Sequence, residues 1–236
     1  MKKNIIRDNR YAKFLLYLAL PLGGFAGSLS SCADLEQDPI SSISTNNFYK
    51  SEDELKTAVN GIYEVATEDG FYGMFNNQSI YFNDLQTDYV KSGANTNSAH
   101  IRELSNFAVS TSNIFVIDSW NEHYNGISLA NQLIDRVEAS TNFADDVKKL
   151  YIGQASFMRA LYYFNLVRYF GDVPLVLHSS EAEGRSRDAL DDVYAQIVKD
   201  LETAETYIPS SVTGSDGRAS SGAATALLSK VYLVWA

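Results

Sequence analysis

One cysteine, four prolines, three histidines and two tryptophans in 236 residues exclude several common designs at once. A single thiol builds neither a disulfide framework nor a cysteine-based zinc cluster. His100, His123 and His178 lie far apart in the chain and form no metal-ligand spacing, so no metal is expected. Basic residues number 19 against 29 acidic ones, a net charge of −10. Phosphate binding needs clustered Lys and Arg, so a nucleic-acid partner is excluded. G-x-S-x-G, P-loop, dinucleotide and H-E-x-x-H motifs are all missing, which leaves no catalytic residue and no cofactor to assign. What is plentiful is apolar and tyrosine: 45% hydrophobic residues and 15 tyrosines, enough for a real core carrying polar-aromatic surfaces.

The N-terminus is an address. Lys2, Lys3, Arg7, Arg10 and Lys13 precede a short apolar run from Phe14 to Leu22, and small residues follow to Ser31. The run is too short to span a membrane and is interrupted by Pro21, Gly23 and Gly24. It reads as a secretory signal over residues 1–31. Leu29-Ser30-Ser31-Cys32 resembles the bacterial lipoprotein signal, in which the cysteine thiol receives lipid; Cys32 is the chain's only cysteine. Removing residues 1–31 leaves 28 acids against 14 bases. A chain of that charge is repelled by anionic headgroups, so membrane attachment has to come from lipid. Ala33-Asp34-Leu35-Glu36-Gln37-Asp38 resembles the acidic surface-export signal of Bacteroidetes-type lipoproteins, which implies the outer face of the outer membrane.

Residues 32–50 lack periodicity and read as a lipidated tether; residues 51–236 read as a helical domain. Ser51-Glu52-Asp53-Glu54 is a capping box, followed by Leu55, Ala58, Val59, Ile62 and Tyr63 at helical spacing, with Gly70 as the expected stop. Residues 67–115, rich in Asn, Ser, Thr, Gly and Tyr, carry no long period and are expected to be an irregular, functional surface. A second helix places Trp120, Tyr124, Ile127, Leu133 or Ile134, and Val137 on one face. A third runs from about Asp146 to Phe170, apolar nearly all round from Phe157, with Gly171 as its C-terminal glycine. Asp172 to Leu177 is a short strand or an extended link. A fourth helix covers Asp188 to about Ile208, and a last one starts near Ser220 after a turn at Asp216-Gly217.

These helices make two hairpins, about 117–170 and 188–236, that look related. Tyr124 and Ile127 return 70 positions on as Tyr194 and Ile197; Gly153, Ala155, Ser156 and Tyr163 return 69 positions on as Gly222, Ala224, Thr225 and Tyr232. Small residues early in each second helix are expected to let it approach the first, as in tetratricopeptide-type hairpins. The final stretch, Leu227 to Trp235, climbs in hydrophobicity with no polar cap, and the domain is expected to be incomplete at its C-terminus.

Several of these segments together resemble the N-terminal part of SusD/RagB-family lipoproteins. The resemblance rests on Asn83-Asp84-Leu85-Gln86-Thr87-Asp88, on Trp120-xxx-Tyr124-xx-Ile127-xx-Ala130-Asn131, and most specifically on Gly153-Gln154-Ala155-xx-Met158-Arg159-Ala160-Leu161-Tyr162-Tyr163-Phe164 continuing to Arg168-Tyr169-Phe170-Gly171-Asp172-Val173-Pro174. Gly217-Arg218-Ala219 completes the series. The resemblance implies an all-α, tetratricopeptide-like fold with a long irregular loop insertion. It also implies a non-catalytic, surface-exposed outer-membrane lipoprotein that captures glycans or similar nutrients for a SusC-like, TonB-dependent transporter. The alternative is a tetratricopeptide-like lipoprotein scaffold binding only protein partners.

Trp120 and Tyr124 sit on a helical stripe and are assigned to packing. Asn131 is expected to bond between helices, Arg159 to pair with carboxylates or carbonyls, and Gly171 to end its helix. Ligand contacts are expected in the irregular segment: Phe71, Tyr72, Tyr81, Asp88, Tyr89, Asn95, His100 and Arg102. Starch-binding members of the family carry tryptophans in this region and residues 67–115 contain none, which leaves the ligand class open.

Overall fold

The computed structural model describes residues 48–67, 81, 83–181, 184–210 and 217–236, all within the unit Phe48–Ala236. Cys32, the signal and nearly all of the tether lie outside them. Six helices and no strand occur among the described residues, and none of these helices is long and apolar enough to cross a membrane.

Helix α1 (Glu52–Val65) starts at the expected capping box: the Ser51 side chain accepts from the Glu54 N–H, and the Glu54 carboxylate accepts from the Ser51 N–H. Three acidic residues occupy its first turn, where the helix dipole favours them. Leu55, Val59, Ile62 and Val65 form its buried stripe. It ends at Val65, earlier than the expected stop at Gly70, which lies outside the described residues. Ala66 N–H and Thr67 N–H donate back to the Tyr63 and Glu64 carbonyls, closing the last turn without a glycine.

Among its described residues, the segment read as irregular is helical at Tyr81, Asn83 and Asp84 and carries the short helix α2 (Ala99–Ser105), capped by Ser98. Seven residues make two turns, too few for a period of 3.6 to register. Helix α3 (Ile114–Ala139) follows, capped by the buried Asn113, whose side chain accepts from the Phe115 N–H. Leu133 and Ile134 are both buried, whereas Trp120 and Tyr124 lie half-exposed at the edge of the stripe.

Helix α4 (Asp145–Phe170) is the central element. It is buried almost all round from Met158 to Val167 and packs on α1, α3, α5 (Leu190–Tyr207) and α6 (Ser221–Trp235). Successive partners pair antiparallel: Asn131 with Arg159, then Arg159 with Asp200, then Glu205 with Thr225. Two small residues set these approaches. A Cβ on Gly126 of α3 would lie 2.4 Å from the Tyr162 ring of α4. A Cβ on Gly153 would meet Tyr207 and Ile208 at 2.9 Å. Gly153 therefore admits the end of α5, in the following hairpin, rather than α3 as the repeat had implied; its counterpart Gly222 meets only Ser220 Oγ, at 3.7 Å.

Gly171 ends α4 at φ 70°, ψ −129°, a conformation that only glycine adopts readily. Asp172 to Leu177 is an extended link, not a strand. Its polar groups are met chiefly by side chains, with the Val173 carbonyl accepting from the Asp188 N–H at 3.1 Å. Tyr124 donates to the Pro174 carbonyl at 2.7 Å, and Asn131 and Tyr163 donate to the Val176 carbonyl at 2.9 Å each. Asp188 accepts from the Leu175 N–H, and Asp172 from the Leu190 N–H.

Candidate ligand-binding surface

The irregular segment is organised around the first turn of α3. The Tyr81 ring lies 5.3 Å from the Phe115 ring, and His100 meets Phe115 edge-on at 6.3 Å. Two of the expected ligand residues are thus brought together by a third aromatic that carries no sequence signal of its own. Below them Glu103 accepts from Asn113 Nδ2 and Ser110 Oγ, each at 2.9 Å, and from the Ser110 N–H. These bonds, with that from Asn113 foremost, hold its carboxyl below the ordinary carboxylate range. Arg102 donates to the Thr96 carbonyl at 2.6 Å, closing the loop ahead of α2. Asp88, Tyr89 and Asn95 stand exposed, Tyr89 being 76% exposed. Phe71 and Tyr72 lie outside the described residues.

The Asn83-to-Asp88 motif meets the end of α4. Asn83, Gln86, Arg168 and Tyr169 line a cleft of about 290 Å³, with Asn83 Nδ2 3.4 Å from the Tyr169 hydroxyl. Arg168 is held in place by its bonds to the Phe164 carbonyl and Asn165 and by stacking 4.6 Å over the Phe164 ring. Two amides, a guanidinium and a phenol face this cleft, a donor-rich lining suited to hydroxyl groups. Behind Tyr169 lies His123, buried against Tyr162 and Tyr169. Burial lowers its pKa to about 4, against the opposing bond to the Ser119 carbonyl and with a small further push from Arg168. It is a neutral packing residue at pH 7.

The other side of α3 holds a buried polar node. Arg159 grips Asp200 in a bidentate pair, Nε to Oδ2 at 2.8 Å and Nη2 to Oδ1 at 2.7 Å. Its Nη1 donates to Asn131 Oδ1 at 2.8 Å and to the Leu177 carbonyl at 3.3 Å. Arg159 is 7%, Asp200 3% and Asn131 0% exposed. Burial lowers the guanidinium pKa, but the Asp200 contacts outweigh it and the net shift is upward. One side chain therefore joins α3, α4, α5 and the link.

Above the node a cavity of about 500 Å³ opens between α3 and the link. Trp120 forms part of its wall, packed 4.9 Å from Tyr124 and edge-on to Phe170 at 5.1 Å. On the far side Asp135 accepts from His178 Nδ1 and from the N–H and Oγ of Ser179, pinning the link to α3. No group of three or more His, Cys, Asp or Glu is placed to hold a metal among the described residues.

A SusD-like family model, described as starch-binding and associating with the outer membrane, matches residues 35–233. SusD-like protein P2 of Formosa agariphila is 30% identical over 210 residues, covering 87% of this chain and 41% of the relative. A SusD-like protein of Bacteroides ovatus is 27% identical over 217 residues, covering 86% and 37%. Among solved structures, a SusD homolog from Bacteroides thetaiotaomicron superposes with a TM-score of 0.72 at 30% identity, over 81% of this chain and 37% of that one. A laminarin-binding SusD-like protein superposes with a TM-score of 0.69 at 31% identity, over 79% and 41%. The chain spans about two fifths of the length of the relatives it matches. With helical hairpins in the same arrangement and a family match over most of its length, this chain belongs to the SusD-like family.

Proposed function

We propose that the protein captures glycans at the cell surface and passes them to a SusC-like, TonB-dependent transporter, without catalysing a reaction on them. The observation that carries this reading is the match, over residues 35–233, to a family described as starch-binding and outer-membrane associated. The laminarin-binding neighbour at 31% identity supports a carbohydrate ligand.

In this reading lipid on Cys32 holds the protein to the outer membrane, with residues 33–50 as the spacer. The ligand lies over the segment that carries Tyr81, Asp88, Tyr89, Asn95, His100 and Arg102, and reaches the cleft at Asn83 and Arg168. Sugar rings offer apolar C–H faces to aromatics and hydroxyls to amides and guanidinium, and this surface supplies both kinds of partner.

Mild-detergent extraction of native outer membranes, followed by affinity capture of this protein and mass analysis, tests the reading. It predicts a lipid increment on Cys32 and recovery of a transporter barrel in near-equal amount. A lipid-free protein recovered without a barrel contradicts it.

A further inference from the structure

The cavity above the Arg159 node belongs to none of the residues assigned to ligand above, and its chemistry is specific. Its α3 wall presents Trp120 and Tyr124, both half-buried, with the small exposed Ser128 beside them. The opposite wall is the link, at Pro174 and Val176, continued beyond it by Ser179, Glu181 and Arg185. The indole packs on the core beside Tyr124 and Phe170 and, being half-exposed, also lines the cavity.

The wall charges are compensated. Glu181 accepts from the N–H groups of Leu177 and His178 through one oxygen and from Arg185 through the other. Arg185 also lies 3.9 Å from Asp188. Such a rim, with Asp135 nearby, offers an anion no unpaired cation. It does offer adjacent donors and acceptors, the pattern that vicinal hydroxyls satisfy. The volume of about 500 Å³ falls within the range of small-molecule sites, roughly 300–1,000 Å³. Tyr124, Asn131 and Tyr163 fix the link and Asp135 fixes Ser179, so this part of the wall is pre-formed.

We propose that the groove between α3 and the link is a second saccharide site, taking a neutral hexose unit with its C–H face on Trp120 and its hydroxyls on Ser128, Ser179 and the Glu181–Arg185 pair. The proposal rests on the glycan-capture reading and adds a site to it.

The two tryptophans of the sequence make the test direct. In a W235F variant Trp120 is the remaining indole, and the substituted ring keeps an aromatic face on Tyr194, where Trp235 stacks at 5.5 Å. Laminarihexaose and maltohexaose are titrated separately, with total binding followed by calorimetry and Trp120 by its emission. The expected result is a saturable change in Trp120 emission with at least one sugar. S128F, which fills the groove from an exposed helix position, should abolish that change while circular dichroism stays the same. R185A should raise the fluorescence-detected Kd about tenfold, the loss of one charge-assisted hydrogen bond. Heat of binding with silent Trp120 overturns the second site and leaves glycan capture standing. An emission change that persists in S128F with an unaltered midpoint also overturns it. No heat and no emission change with either sugar overturns both.

Discussion

At the scale of single residues, the most consequential side chain is Arg159. Sequence alone places it in a largely apolar helix and so demands a partner, but cannot name Asp200, which lies 41 positions on. R159M leaves the buried Asp200 carboxylate without a cation and bonded to the Gln196 amide, and urea unfolding should show a loss of ~3–5 kcal/mol. D200N in the same background should recover part of that loss, since it removes the stranded charge; a double variant as unstable as both single ones summed would deny the pairing. Gly126 is a different case. It reads as an unremarkable helix residue, and only the fold shows the Tyr162 ring where its Cβ would stand. G126A, favourable by helix propensity, should nonetheless destabilise by ~1–3 kcal/mol.

His123 gives a pH signature at the same scale. Its pKa is about 4 in the folded chain and about 6.5 unfolded. Between those values the unfolded chain binds a proton that the folded chain refuses, so stability present above pH 6.5 drains away as pH falls towards 4. The loss should be about 3 kcal/mol. Denaturation midpoints measured across that interval should fall for the native sequence and much less for H123Q.

At the scale of elements, the helices were legible because their caps and stripes are local. Ser51 with Glu54 announces α1, Ser220 opens α6, and Gly171 with Pro174 closes α4. The misses have two causes, elements too short to show a period and contacts distant in sequence. Helix α2 is too short to show a period, and Phe115 gains its role only through Tyr81 and His100. The link after α4 left strand and extended chain equally open, because what decides it is side chains from α3 and α4. Trp120, read as packing from its place on the stripe, does pack against the core, and it also lines a cavity at the stripe's margin.

That link carries its own prediction. Burial raises the Asp135 carboxyl, but the bonds from His178 and Ser179 outweigh it and leave it below its ordinary value. The folded link therefore gains support that is present above the unfolded carboxyl value, about 3.9. That support is lost as pH drops through the lower folded value. Hydrogen exchange at the Ser179 amide should quicken below about pH 4 in the native sequence, and should already be fast at neutral pH in D135A. An amide equally protected in D135A would show that the clasp is not what holds the link.

At the scale of the whole molecule, the proposed function draws on residues with no local signal. Family membership was legible from spaced motifs whose members, Asn131, Arg159 and Asp172 among them, prove to tie the hairpins and the link together. The proposed ligand surface was expected as a region; among its described residues Tyr81 and His100 meet across Phe115, and Gln86, Arg168 and Phe115 were not among the residues expected to contact ligand. Helix periodicity reports burial, and a surface that receives a sugar is defined by what it leaves unburied.

The most direct test of glycan capture is affinity electrophoresis of the native protein in gels cast with laminarin or with starch. The account predicts retardation in at least one of them, saturable by the free polysaccharide and weakened about tenfold by a Y81A/R168A double change, the loss of one stacking and one charged contact. Unretarded migration in both gels, with the protein folded and still bound to a barrel, would contradict capture and leave the scaffold reading in its place.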